Sequence, residues 1–183
     1  MRIDTERLTI REFRAEDEKV LIEMVSDGSL HDVFGDCADC TEWMGEWLCE
    51  ARALTGADDP GKAYLAYAVE EKETGRLIGT VGCSRYEDLG ETGITYCVGG
   101  KYRGRGYAAE AAKAYAGYFL NRYDAERLIA TIRKENIPSW KSIERAGFVL
   151  DEKKMYKDLN DEREELYRFY SFGKCNSINS GLK

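Results

Sequence analysis

An arginine-bearing, glycine-punctuated turn joins a strand-like segment to an alanine-dense one at Tyr96-Cys97-Val98-Gly99-Gly100-Lys101-Tyr102-Arg103-Gly104-Arg105-Gly106-Tyr107-Ala108-Ala109-Glu110-Ala111. A helix that starts straight after such a turn presents unpaired N–H groups, with the positive end of its dipole behind them. Several backbone donors then converge on one anion, the arrangement that suits a phosphate or diphosphate. Gly104 and Gly106 let oxygens approach the backbone with no Cβ in the way, and Arg103 and Arg105 can add charge-assisted bonds. The same residues also read as a plain surface turn with a solvated face. A dinucleotide fold is disfavoured, because the strands before the turn form a meander rather than a βαβ unit. No Gly-Lys-Ser/Thr follows the glycines, which excludes a P-loop.

A second grouping has metal-ligand types. His31, Cys37, Cys40 and Cys49 include a Cys-x-x-Cys pair, but the spacing matches no zinc finger. The expectation is no metal. The six cysteines of the 183-residue chain are expected to be free thiols in a reducing compartment.

The elements around the turn follow from periodicity. Residues 8–14 alternate apolar and polar as a half-buried strand does. Residues 15–27 then form a helix with Val20, Leu21, Met24 and Val25 on one face. Thr41 opens a second helix with Trp43, Met44, Trp47, Leu48, Ala51 and Leu54 along its buried side. Strands at 63–70, 76–85 and 91–98 make an antiparallel meander. Residues 104–121 form a helix whose Ala108, Ala111, Ala112, Tyr115 and Phe119 face the sheet. A strand at 127–133 leads to a short helix, 138–145, with Pro138 near its start and Gly147 past its end. A strand beginning at 148–151 and another at 166–172, with a charged turn at 158–165 between them, close the order, and the tail 176–183 is polar. The fold class is mixed α/β (α+β), one domain over 1–175, with six to seven mostly antiparallel strands flanked by about four helices.

Arg103-Gly104-Arg105-Gly106-Tyr107-Ala108 matches the Arg/Gln-x-x-Gly-x-Gly/Ala signature, and on it the chain resembles the GNAT acetyltransferase superfamily. Glu135-Asn136-Ile137-Pro138-Ser139 and Ile143-Glu144-Arg145-Ala146-Gly147-Phe148 look like its ribosomal-protein N-terminal acetyltransferase branch. So does the opening Thr5-Glu6-Arg7-Leu8-Thr9-Ile10-Arg11. The likeness spans roughly residues 5 to 172, with the blocks in the expected order.

The resemblance implies an acetyl-CoA-dependent N-acetyltransferase, with acetyl-CoA or CoA as cosubstrate and no metal. The strand ending at Val98 and the strand 127–133 would splay, giving the pantetheine arm a cleft beside main-chain groups of Tyr96, Cys97 and Val98. Arg103, Gly104, Arg105, Gly106, Tyr107 and Ala108 would hold the diphosphate. Asn136 would bond the pantetheine amides, Ser139 would sit near the sulfur, and Lys141 would reach a CoA phosphate. Each has a plainer reading: Asn136 as a helix cap, Ser139 as a first-turn residue, Lys141 as an exposed lysine. Many relatives place a tyrosine acid four residues before the Gly-Phe, where this chain has Ile143. Ser139 or a water is then the partner for the sulfur.

Glu91, at the start of the strand lining the cleft, is the expected base, acting through water, with Glu87 and Tyr96 behind it. The segment 15–55 should form much of the acceptor pocket for a primary amine, either a protein N-terminus or a small molecule. A non-catalytic acyl-CoA-binding sensor on the same fold is the alternative. The net charge of −7 argues against nucleic-acid partners and anionic membranes. No run spans a bilayer, and the charged start Met1-Arg2-Ile3-Asp4-Thr5-Glu6-Arg7 does not resemble a signal peptide. The expectation is a cytoplasmic monomer or homodimer.

Overall fold

The computed structural model describes residues 1–34, 40–158 and 161–174. Eight strands form one sheet in the order β1-β2-β3-β4-β5-β6-β8-β7. They are β1 (Arg2–Asp4), β2 (Leu8–Arg11), β3 (Leu65–Glu71), β4 (Arg76–Tyr86), β5 (Glu91–Val98), β6 (Arg127–Arg133), β7 (Val149–Tyr156) and β8 (Glu165–Gly173). The helices are α1 (Asp17–Ser26), α2 (His31–Phe34), α3 (Cys40–Ala57), α4 (Tyr107–Arg122) and α5 (Ile137–Ala146). Among the described residues no helix is long and apolar enough to cross a membrane.

Every strand pair is antiparallel except β5–β6, which is parallel. Two cores flank the sheet. On one face α4 and α5 pack Ala111, Ala112, Tyr115, Phe119, Ile143 and Ala146 against Tyr67, Ile78, Val98, Leu128 and Tyr170. On the other, α1 and α3 bring Leu21, Met24, Val25, Met44, Leu48 and Ala51 onto Ala66, Ala68, Leu77 and Cys97.

The sheet has one strand more than the upper expectation. Residues 2–4 pair with β2, with Ile3 opposite Ile10. β7, expected to begin at 148–151, runs from Val149 to Tyr156. It is an edge strand with mostly exposed residues, so no apolar alternation marks its length. β2 ends at Arg11, and all four of its residues are buried. The cause is an ionic knot. The Arg11 guanidinium donates to both Asp17 oxygens at 2.7 and 2.9 Å and to Glu70 at 2.8 Å. A buried charge demands such partners, and this one fixes the start of α1 against β2 and β3.

Helix α4 begins at Tyr107 instead of 104. Both Gly104 (φ 78°) and Gly106 (φ 82°) lie in the left-handed region, which carries the chain through the turn before the helix can start.

Candidate functional site

The parallel pair β5–β6 shares a single bridge, Gly93 opposite Ile129. Beyond it the strands part, while the other edge of β5 stays paired with β4 as far as Gly79 opposite Val98. Residues 94–98 therefore present one backbone edge to a gap. Two further contacts tie the closed end of this wedge. Arg127 donates to Glu91 Oε1, with Nε at 3.0 Å. The Tyr86 ring lies over Gly93, where a Cβ would sit 2.4 Å from ring carbon Cε2, and its hydroxyl accepts from Thr131 Oγ1 at 3.1 Å.

Across the gap stands α5. Ser139 in its first turn meets Tyr96 of β5. The Tyr96 hydroxyl donates to the Ser139 carbonyl at 3.0 Å and lies 2.8 Å from Ser139 Oγ. Burial pushes the Tyr96 pKa up to about 12 against the opposing effect of the Ser139 bond. The phenol is therefore a protonated group at neutral pH. Ile143 is fully buried in the core, so that position of α5 offers no acid. Tyr96 brings a second hydroxyl to this place, from the strand, beside that of Ser139 in α5.

The turn lies just past the open end. Gly106 is the N-cap of α4 and gives it no side-chain cap. The turn is braced from below. Arg7 donates to Glu110 Oε2 at 2.7 Å and to the Arg105 carbonyl at 2.8 Å, and its guanidinium carbon lies 4.7 Å from the centre of the Tyr107 ring. Thr5 donates to Glu110 at 2.6 Å. The Tyr107 hydroxyl donates to Glu71, whose carboxyl is held below the usual range by that bond and by one from Thr74. With its ring and hydroxyl engaged underneath, Tyr107 offers the site its backbone. Ala108 occupies the same first turn, half-buried.

The remaining candidates fall as follows. Arg105 is exposed on the turn. Arg103 is exposed but directed inward, donating from Nε to the Val98 carbonyl at 3.1 Å and from Nη2 to the Ser29 carbonyl. Cys97 turns its thiol away from the gap, 3.2 Å from Thr80 Oγ1, and burial pushes its pKa up. Asn136 caps α5, its Oδ1 accepting from Ser139 N–H at 3.2 Å. Lys141 is exposed, with Nζ 5.7 Å from the centre of the Trp140 ring.

Glu91 is five residues before Tyr96. An odd spacing in a strand places the two side chains on opposite faces, about 16 Å apart along β5 at ~3.3 Å per residue. Glu91 borders a cavity of about 350 Å³ with Arg85, Thr92 and Arg127.

Sequence reasoning missed Arg7 and Ser29. Both act through contacts with residues about a hundred and about seventy positions away, which no local spacing reveals. Of the His/Cys grouping, Cys37 lies outside the described residues, and so does Cys175. Cys49, Cys83 and Cys97 are free thiols. Cys40 is disulfide-bonded, which corrects the expectation of a free thiol there. Among the described residues no cluster of three or more His, Cys, Asp or Glu could hold a metal.

A family model described as the acetyltransferase (GNAT) domain matches residues 7–149. The uncharacterized N-acetyltransferase YnaD of Bacillus subtilis is 29% identical over 147 residues, which cover 80% of this chain and 82% of the relative. A GNAT-family acetyltransferase from Bacillus anthracis superposes with a TM-score of 0.78 at 22% identity, over 94% of this chain and 98% of that one. A RimL ribosomal-protein α-N-acetyltransferase in complex with coenzyme A gives 0.78 at 14% identity, with the same two coverages.

Proposed function

The chain belongs to the GNAT acetyltransferase family, and on that premise we propose that residues 1–175 form a single acyl-CoA N-acyltransferase unit. It transfers an acetyl group from acetyl-CoA to a primary amine by direct attack in a ternary complex. The observation that carries this reading is the wedge: β5 and β6 share one bridge, and the uncapped start of α4 follows the open edge.

The diphosphate rests on main-chain N–H groups at the start of α4, between Gly104, Gly106, Tyr107 and Ala108, with Arg105 adding charge. Arg103 contributes by shaping the turn through its bond to Val98. The pantetheine arm extends β5 as an added strand along Tyr96, Cys97 and Val98. Main-chain N–H groups on that edge face the thioester oxygen as it becomes an oxyanion. Asn136 keeps its side-chain NH₂ for the arm while its oxygen caps α5. Lys141 serves the outer phosphate.

The amine attacks the thioester carbonyl, the C–N bond forms, and the C–S bond breaks. Ser139 Oγ–H protonates the departing thiolate, the Tyr96 O–H turns from the Ser139 carbonyl to reprotonate Ser139 Oγ, and solvent returns the proton to Tyr96. Glu91 lies about 16 Å along β5 from Tyr96, so it takes the amine's proton through a chain of several waters rather than by direct contact. An α-amino group, neutral about one time in ten at pH 7, needs less such help than a lysine.

The test is free-thiol release from acetyl-CoA with purified protein and a panel of peptides bearing free N-termini, polyamines and amino acids. Amine-dependent release above the hydrolysis background is expected. Binding of acetyl-CoA with no turnover on any amine would instead support the acyl-CoA-binding sensor.

A further inference from the structure

Gly99 and Gly100 precede the diphosphate turn, and neither has a left-handed backbone that would call for glycine. Their lack of a side chain is explained by what presses on them. A Cβ on Gly99 would lie 2.8 Å from Met24 Sδ, and one on Gly100 would lie 2.9 Å from Ser29 Cβ. Real Cβ atoms do not come this close, so the segment joining α1 to α2 sits on the turn only because position 100 is glycine, while Gly99 meets the flexible end of Met24 in α1.

Ser29 is the centre of this contact. Its Oγ accepts the Gly100 N–H at 2.9 Å, and its carbonyl accepts Arg103 Nη2. Its own N–H donates to Asp27 Oδ1 at 2.8 Å, which fixes the serine's orientation. Arg103 extends the chain of bonds to the Val98 carbonyl at 3.1 Å, at the end of the strand edge assigned to the pantetheine. One continuous set of hydrogen bonds thus runs from Asp27, at the end of α1, to the diphosphate turn and the open edge of β5.

We propose that Ser29 is a positioning residue that couples the amine-binding side of the protein to the cosubstrate turn. The inference rests on the cosubstrate reading given above. Seating CoA immobilises Gly100 and Arg103, and these hold residues 27–30 in place to receive the amine. Coupling of this kind is reciprocal: loosening 27–30 must weaken CoA by the factor that CoA would have tightened it.

The experiment is hydrogen–deuterium exchange of the full chain with and without CoA, with CoA affinity measured in parallel, on wild type, Ser29→Ala and Gly100→Ala. In the wild type CoA slows exchange across 27–30 severalfold. In both variants that response disappears, and the Kd for CoA rises about three- to tenfold, the range for losing one hydrogen bond. The melting temperature of Ser29→Ala stays within a few degrees of wild type, and its KM for the amine rises more than its kcat falls. A Ser29→Ala protein with wild-type CoA affinity and a wild-type exchange response overturns the coupling and leaves the cosubstrate site intact. Wild-type protein that binds CoA with no change at 27–30 does the same. Failure of the wild type to bind CoA would end both.

Discussion

Tyr96 and Ser139 meet from segments 43 residues apart, one on a strand and one in the first turn of a helix. Asn136-Ile137-Pro138-Ser139 announces that turn in the sequence, and the cap and the proline fall where expected. The pairing with Tyr96 is not announced, because it depends on where β5 lies relative to α5. With its pKa pushed up to about 12, above the ordinary 10 of a tyrosine, the Tyr96 hydroxyl stays protonated as pH rises through the neutral and mildly alkaline range. Tyr96→Phe should therefore lower kcat by about 10²-fold, as for loss of a general acid, with KM for acetyl-CoA within about threefold. Steady-state kinetics at pH 7 to 9 checks this, and an unchanged kcat would assign proton delivery to Ser139 and water alone. Glu91→Gln should lower turnover more than CoA affinity and make the remaining rate depend more steeply on pH. An unaltered rate from pH 6 to 9 would confine Glu91 to its ion pair with Arg127.

At the scale of elements, the meander, the alanine-dense helix and the capped short helix were all legible. Their apolar spacing matches what they bury: Leu21, Met24 and Val25 in α1, and Ala111, Ala112, Tyr115 and Phe119 in α4. What escaped was β1, with three residues, and the outer half of β7, whose polar pattern reflects an edge with little to bury. The Arg11–Asp17–Glu70 knot was also hidden, because alternation alone reads Arg11 as outward-facing. Burial would raise the Asp17 pKa, but the Arg11 guanidinium and the Arg14 N–H outweigh it and hold it below the usual value. A depressed folded pKa contributes stability that is present above the unfolded value of about 3.9 and lost as pH falls through the folded one. Asp17→Asn should cost about 3–5 kcal/mol at pH 7, the range for breaking a buried pair. The deficit should shrink below about pH 4, where the wild type loses the same interaction. Urea unfolding at pH 7 and pH 3 measures both, and an equal deficit at the two values would contradict the ionic account.

For the whole molecule, chemistry is placed by where one parallel pair opens in an otherwise antiparallel sheet. In the proposed mechanism α4 follows the diphosphate turn and α5 carries the Ser139 acid, both on one face. Glu91 and Thr95 lie on the opposite face of β5 from Tyr96. The turn and the short capped helix proposed to hold the cosubstrate were readable in the sequence. Contacts such as Ser29 on Gly100 were not, because only the folded chain brings them together. Isothermal titration of CoA into wild-type protein and into Gly106→Val tests the central claim most directly. A β-branched side chain at φ 82° strains the turn and blocks the approach to its N–H groups. The wild type should bind with a Kd between about 1 μM and 1 mM, the span common for enzyme substrates, and the variant at least about tenfold more weakly while remaining folded. No heat from wild type at millimolar CoA, or equal affinity in the two proteins, would contradict the account.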